Sequence, residues 1–381
     1  MSELNASNLR KEQGNEGPDL VGLTELTSPY FMVPPSGNTA ERPQNPQKGT
    51  LRFNTDIGTL EYFRGDVIGW EQIQRTTPYL NGGGRGVVMG GRSTPDATCE
   101  SISYVTISTL GNSADFGDLA TGIGANIGGA SRTRAFSAGG STVPALVNTM
   151  EYITIASTGN GTDFGDMLVA RANLGAGTNQ IRAVLAGGAG PSGDSNVMDY
   201  KDIATTANTV DFGNLSNGVE DDGGGITSPT RAIFYGGQSP AINVIDFIQI
   251  MTTGHATDFG DLNDTSIRKQ GGSNATRGII AGGDAPTSKK LIEYLTIATK
   301  GNTVKFGELT VARSDVGVVT DPTRAVIMGG LVSPAYFNVM DYVQLATTGN
   351  AVDFGDLATA GATDGKVSPN GNASSNSHGG L

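Results

Sequence analysis

Histidine and cysteine are almost missing from this chain: its 381 residues hold two His, His255 and His378, and one Cys, Cys99. A lone cysteine excludes an internal disulfide framework and any multi-cysteine metal site. Two isolated histidines offer neither a paired metal site nor a base beside a nucleophile, so each reads as solvated surface. Cys99 reads as an inert loop residue just ahead of the strand around Ile102. Positive charge is scarce as well, with 25 Lys plus Arg against 37 Asp plus Glu and a net charge of −12. That balance argues against nucleic acid as a partner, because phosphate binding rests on clustered cations. No apolar run approaches the length of a bilayer span, and residues 1–17 are polar and read as mobile, so neither membrane insertion nor a cleaved signal is expected. Glycine, by contrast, is abundant at 57 residues. It loses more backbone entropy in a helix than any other residue, which points to a turn-rich β protein.

The glycines follow a period. An Asp-Phe-Gly-like triplet recurs with its aromatic at Phe116, Phe164, Phe212, Phe259, Phe306 and Phe354, at spacings of 48, 48, 47, 47 and 48 residues. A second marker, Arg followed by a short apolar run and Gly-Gly, begins at Arg85, Arg134, Arg182, Arg231, Arg277 and Arg324. Between them lies an apolar-acid-aromatic triplet such as Met150-Glu151-Tyr152 or Met340-Asp341-Tyr342; the first copy, with Ser103-Tyr104, lacks the acid. The Arg run reads as a strand buried on both faces, and the acid-aromatic segment as a strand that turns at Gly-Asn into a returning strand ending at Phe-Gly. A Gly-rich stretch such as 170–177 leaves room for a fourth. Four short strands in a period of this length are what a propeller blade requires. Residues 1–80 stand outside the period; there, Leu51, Phe53, Leu60 and Tyr62 alternate around Asp56-Ile57-Gly58 as a hairpin with an apolar face that needs a partner to cover it.

The repeats, covering residues 82 to about 365, resemble kelch-type β-propeller repeats, with Phe standing where kelch blades usually carry Trp. The segment Gly49-Thr50-Leu51-Arg52-Phe53-Asn54-Thr55-Asp56, with Leu60-Glu61-Tyr62 and Trp70, resembles a hairpin module of bacteriophage tail-fibre and virion appendage proteins. Its coupling to these repeats is similar to structural proteins of marine cyanobacterial phages. The resemblance implies an all-β protein: a small extended and hairpin anchor over 1–80, then a six-bladed kelch-like β-propeller over 81–381 with a C-terminal closing strand, expected within 359–370, and a frayed tail in which Gly379-Gly380 mimics a seventh unit. It further implies a virion structural protein, such as a tail fibre, appendage or capsid decoration, that is not an enzyme. Residues 1–80 would bind other virion proteins and the propeller would face a host-surface glycan or receptor, in a homo-oligomer such as a trimer. A non-viral interaction module and a propeller hydrolase acting on surface polysaccharide are the alternatives.

No residue set suggests catalysis, a metal or a cofactor. Six copies of Asp-Phe-Gly, one with Lys305 for Asp, exclude a kinase reading, which needs one triplet beside a catalytic loop. The six register-matched arginines are expected to be structural, each meeting a carboxylate of its own or an adjacent blade. Glu220-Asp221-Asp222 reads as a flexible acidic loop, with calcium binding as the sharper alternative. The loops after Gly-Gly differ in every copy and share one rim; on that rim Tyr336 and Phe337 are the aromatics expected to be exposed and to bind.

Overall fold

The computed structural model describes residues 34–381 except 57, 74–83, 94–96, 218–222, 239, 359–366 and 370–371. The expectations for residues 1–17 and for the acidic run 220–222 therefore lie outside the described residues. The protein is all-β, and the described residues contain no α-helix, only a 3-10 turn at Thr39–Glu41. The chain divides into two compact units, 1–78 and 79–381.

The first unit holds a four-stranded sheet, Ser36–Gly37, Leu51–Asn54, Thr59–Phe63 and Trp70–Gln72, in that order. Leu51 pairs with Tyr62 and Phe53 with Leu60, in the register that the alternation predicts. The buried face, however, is the polar one. Glu61 accepts from Arg42 at 2.6 Å and from Asn54 at 3.1 Å, and all of Arg52, Asn54 and Glu61 are buried. Salt-bridged arginines hold the Glu61 carboxyl below the usual carboxylate range, despite its burial. Leu51, Phe53, Leu60 and Tyr62 are left half-exposed on the other face. The 38–42 segment, not an apolar layer, covers this hairpin.

In the second unit the period becomes a repeated sheet. Five are four-stranded and antiparallel: Ile127–Ala130, Arg134–Ala138, Thr149–Thr154 and Thr162–Asp166 form one, and four more start at Gly175, Gly223, Gln270 and Gly317. Gly175–Thr178 comes from the Gly-rich stretch, and in each sheet the strand that begins at the marker arginine is second. A sixth sheet brings together Ala373–Ser375, Arg85–Met89, Ala97–Thr106 and Ala114–Ile123, with Arg92–Ser93 and Val367–Ser368 at its side.

The pattern has a packing cause. Within each sheet the third-strand aromatic meets the Phe twelve residues later, from Tyr104 and Phe116 at 5.8 Å between ring centroids to Tyr342 and Phe354 at 6.2 Å, mostly edge-on. The core lies between sheets: each of six buried clusters draws on two successive sheets. One joins Ile279, Ile292 and Phe306 to Val316, Ala325 and Val343. Another joins the last sheet (Val326, Met340, Phe354) to the first (Val88, Val105, Ile107). Cys99 belongs to that cluster, so it is a buried strand residue, not a loop residue, and burial pushes its thiol pKa up.

Of the window expected to supply the closing strand, 359–370, residues 359–366 and 370 lie outside the described residues; within it Val367–Ser368 pairs with Ser93 and Arg92 of the first sheet. The strand beside Arg85–Met89 is Ala373–Ser375, just beyond that window, paired with Val88, Val87 and Gly86. Residues 372–381, expected to fray, are ordered into the structure. Asn372 donates to Met89 O and Ser137 Oγ, Ser375 Oγ to Thr320 O at 2.6 Å, and Gly379 N to Ser273 O at 2.7 Å. Gly379 and Gly380 are no seventh unit. They thread between the carbonyls of Thr227, Asn274 and Thr178, where a Cβ would collide with backbone.

Candidate functional site

Three sets of side chains connect each sheet to the next. The marker arginines form the first. Each guanidinium stacks on the aromatic of its own third strand, at 4.1 Å for Arg182 on Tyr200 and 5.1 Å for Arg231 on Phe247. Each also donates to a backbone carbonyl of the following sheet: Arg85 to Ile155, Arg134 to Ile203, Arg182 to Ile250, Arg231 to Ile297, Arg277 to Leu345, and Arg324 back to Ile107, at 2.6–3.2 Å. The carboxylate partner expected from the sequence is thus replaced by an aromatic face and a carbonyl. Among the described residues only Arg182 keeps an acid nearby, Asp202 at 3.8 Å and half solvent-exposed. A charged hydrogen bond together with a cation–π contact sets the expected loss on Arg182→Ala at about 2 kcal/mol. Urea denaturation checks this, and Arg182→Lys should recover only part of it.

The second set explains the glycine of the Phe-Gly motif. The amide two residues beyond each Phe donates to a turn side chain of the next repeat, as from Asp118 to Asn160, Asp261 to Asn302 and Asp356 to Asn112. The same turn presses a carbonyl against the motif glycine, so that a Cβ on Gly213 would meet Gly254 O and one on Gly355 would meet Gly111 O. In one repeat His255 takes the asparagine's place, its Nδ1 accepting from Asn214 N at 3.2 Å. It is exposed, yet it has a fixed structural partner.

The third set is the acid of the third strand. Asp199, Asp246, Glu293 and Asp341 are buried and accept from the backbone amide four residues after the preceding repeat's Phe, as Asp246 does from Ser216 N at 2.9 Å. At three junctions a buried base from that preceding loop joins them: Arg171 on Asp199, Lys269 on Glu293 at 2.8 Å, and Arg313 on Asp341 at 3.2 Å. The sequence reading missed these bases: Arg171 and Arg313 both stand seven residues after the Phe of their repeat, but Lys269 stands ten after, and Ile123, Val219, Ser266 and Gly361 hold the seventh position in the other copies, so the bases form no six-fold marker. Lys201 was missed as well. It replaces an apolar third-strand residue, lies 3.4 Å from the Phe164 ring centroid and donates to Phe164 O. Burial lowers its pKa to about 8.

The 372–381 segment lies against the first strands of the sheets. His378, expected at the surface, has its Nε2 2.8 Å from Ala130 O and 3.2 Å from Thr178 Oγ1. Its Nδ1 accepts from Gly380 N at 3.1 Å and faces Thr227 Oγ1 at 3.2 Å. A ring with Nδ1 accepting and Nε2 donating to a carbonyl is neutral, and burial pushes its pKa down to about 4. The imidazole lines a cavity of about 30 Å3 with Gly129, Thr227, Thr320 and Ser375, room for one or two waters. Because the unfolded chain takes up the proton near the ordinary value of 6.5 and the folded chain only near 4, stability falls as pH drops from about 6.5 to 4. The expected loss is up to about 3 kcal/mol. Comparing the pH dependence of denaturation for the wild type and His378→Gln isolates this contribution from the carboxylates; identical curves would refute it.

Four of the loops after Gly-Gly are tied by backbone bridges to the segment leading into the first strand of their own sheet, at Gly124–Ser141, Ala172–Ala189, Ile267–Asp284 and Ser314–Leu331. Tyr336, expected to be exposed, is buried at the end of the small hairpin Leu331–Val332 with Ala335–Tyr336, and Phe337 is half-buried. The chain matches no known family model and no curated protein sequence.

Proposed function

We propose that residues 81–381 form a six-bladed β-propeller that acts as a displayed, non-enzymatic binding scaffold in a virion structural protein, with residues 1–80 as its attachment to the particle. Six clusters shared between successive sheets, the sixth joining last to first, support the ring. The arginine hydrogen bonds follow the same cyclic order. The observation that carries the functional reading is that residues 372–381 are hydrogen-bonded to the first strands of the sheets, which in such a ring would line the axis where a propeller builds a site for a small substrate. The buried acids and bases are engaged in joining sheets, and what varies between repeats is the set of rim loops, where a rigid scaffold presents recognition surface. The half-exposed Leu51, Phe53, Leu60 and Tyr62 face of the first unit is the surface offered to the particle.

Purified phage particles from the source of this sequence provide the test. The full chain should be present in a fixed copy number per particle, and a version lacking residues 1–80 should fold yet stay out of the particle. Absence of the full chain from particles would favour the interaction-module reading, and turnover of surface polysaccharide by the purified chain would favour the hydrolase.

A further inference from the structure

The buried acids between sheets are not treated alike. Asp199 and Asp341 each face a guanidinium, and Glu293 an ammonium group. Asp246 holds the same position, 5% exposed, and no Lys or Arg pairs with it among the described residues. Nor does the sequence offer a base at this junction, since none lies between Phe212 and Arg231. Ser216 satisfies one oxygen of Asp246, through its amide at 2.9 Å and its hydroxyl at 2.7 Å. The other, Oδ1, is buried with no hydrogen-bond partner.

A cavity of about 10 Å3 borders Asp246 and is also lined by Asn217, Phe234, Gly236 and Val244. These positions are the counterparts of the groups that hold the base elsewhere. Arg171 donates to Gly187 O and Val197 O, which correspond to Gly236 and Val244; Arg313 donates to Ile327 O, which corresponds to Phe234. The cavity thus lies where a guanidinium sits at two other junctions, and it is bordered by the same residue positions. Glu151 also lacks a base, but it is half-buried and both of its oxygens accept from Ala120 N, so it leaves no such opening.

We propose that Asp246 and the carbonyl groups around it bind a monovalent metal cation, Na+ or K+, in the position taken by a guanidinium at the other junctions. A buried carboxylate needs a compensating charge. The space admits one water-sized sphere, and oxygen donors suit a hard cation. Among the described residues one carboxylate borders the cavity, a single negative charge where a calcium site assembles several.

The test uses the full chain at constant ionic strength, with tetramethylammonium, too large for the cavity, exchanged for Na+ or K+. The melting temperature should rise with the logarithm of cation concentration, by about 2–4 °C for each tenfold increase beyond half-saturation. Asp246→Asn should fold and lose the response, while Asp341→Asn should keep it. Broadening of the 23Na NMR line by the wild-type chain, reversed by K+ but not by tetramethylammonium, is a second readout that stands even if Asp246→Asn fails to fold. Equal melting in all three salts, sodium broadening undiminished in Asp246→Asn, or stabilisation by Ca2+ alone would overturn the proposal.

Discussion

Removing residues 372–381 should abolish cooperative folding of the repeat unit. The deletion takes away the strand Ala373–Ser375 and exposes the edge of Arg85–Met89, which would then present unpaired amides and carbonyls to other chains. It also takes the bonds of Asn372, Ser375, Ser377, His378 and Gly379 to the five other sheets. At about 1 kcal/mol net for each hydrogen bond, the loss reaches several kcal/mol, a large part of the roughly 5–15 kcal/mol that stabilises a whole domain. The expected outcome is insoluble or aggregated protein, or a broad transition in place of a sharp one. A truncated chain that melts sharply at the wild-type temperature would show that the closing strand is dispensable and that the sheets close on each other without it.

The second large effect concerns Arg313 and Asp341. Both side chains are fully buried, 3.2 Å apart, and burial lowers the guanidinium's pKa. Arg313→Met strands a carboxylate between sheets and should cost about 3–5 kcal/mol. The pair is nevertheless a poor source of net stability, because Nε and Nη1 of Arg313 are buried without partners. Replacing both residues, as in Arg313→Met with Asp341→Leu, should therefore restore most of the loss or exceed the wild type. Urea denaturation of the two single variants and the double variant measures the coupling. If Arg313→Met costs under about 1 kcal/mol, water reaches Asp341 and the junction is not dry.

What could be read in advance was what repeats. Gly-Asn pairs such as Gly301-Asn302 predicted a hairpin, and the strands on either side of that turn do pair, with Tyr294 and Phe306 meeting at 6.0 Å. The arginines were recognisable as a set because register makes them one. Their partners were not, since a carbonyl such as Ile250 O leaves no signature in side-chain chemistry. The same holds for the hairpin of the first unit: alternation located its two faces, but only the covering segment with Arg42 made the polar face the buried one.

By itself, then, the sequence determined the strand pattern, the six-fold period and the places where glycine is required, because each follows from local backbone preference and from side-chain alternation within one repeat. Tertiary structure alone decided what non-periodic residues do. His378 and Gly379-Gly380 look like a loose tail in one dimension, yet in three they lie among Ala130, Thr178, Thr227 and Asn274, more than a hundred residues away in the chain. Arg171, Lys269 and Arg313 look like loop charges until the next sheet brings an acid against each. The reason is physical: contacts between sheets join residues far apart in the chain, and a pattern within a single repeat carries no record of which neighbour will be packed against it.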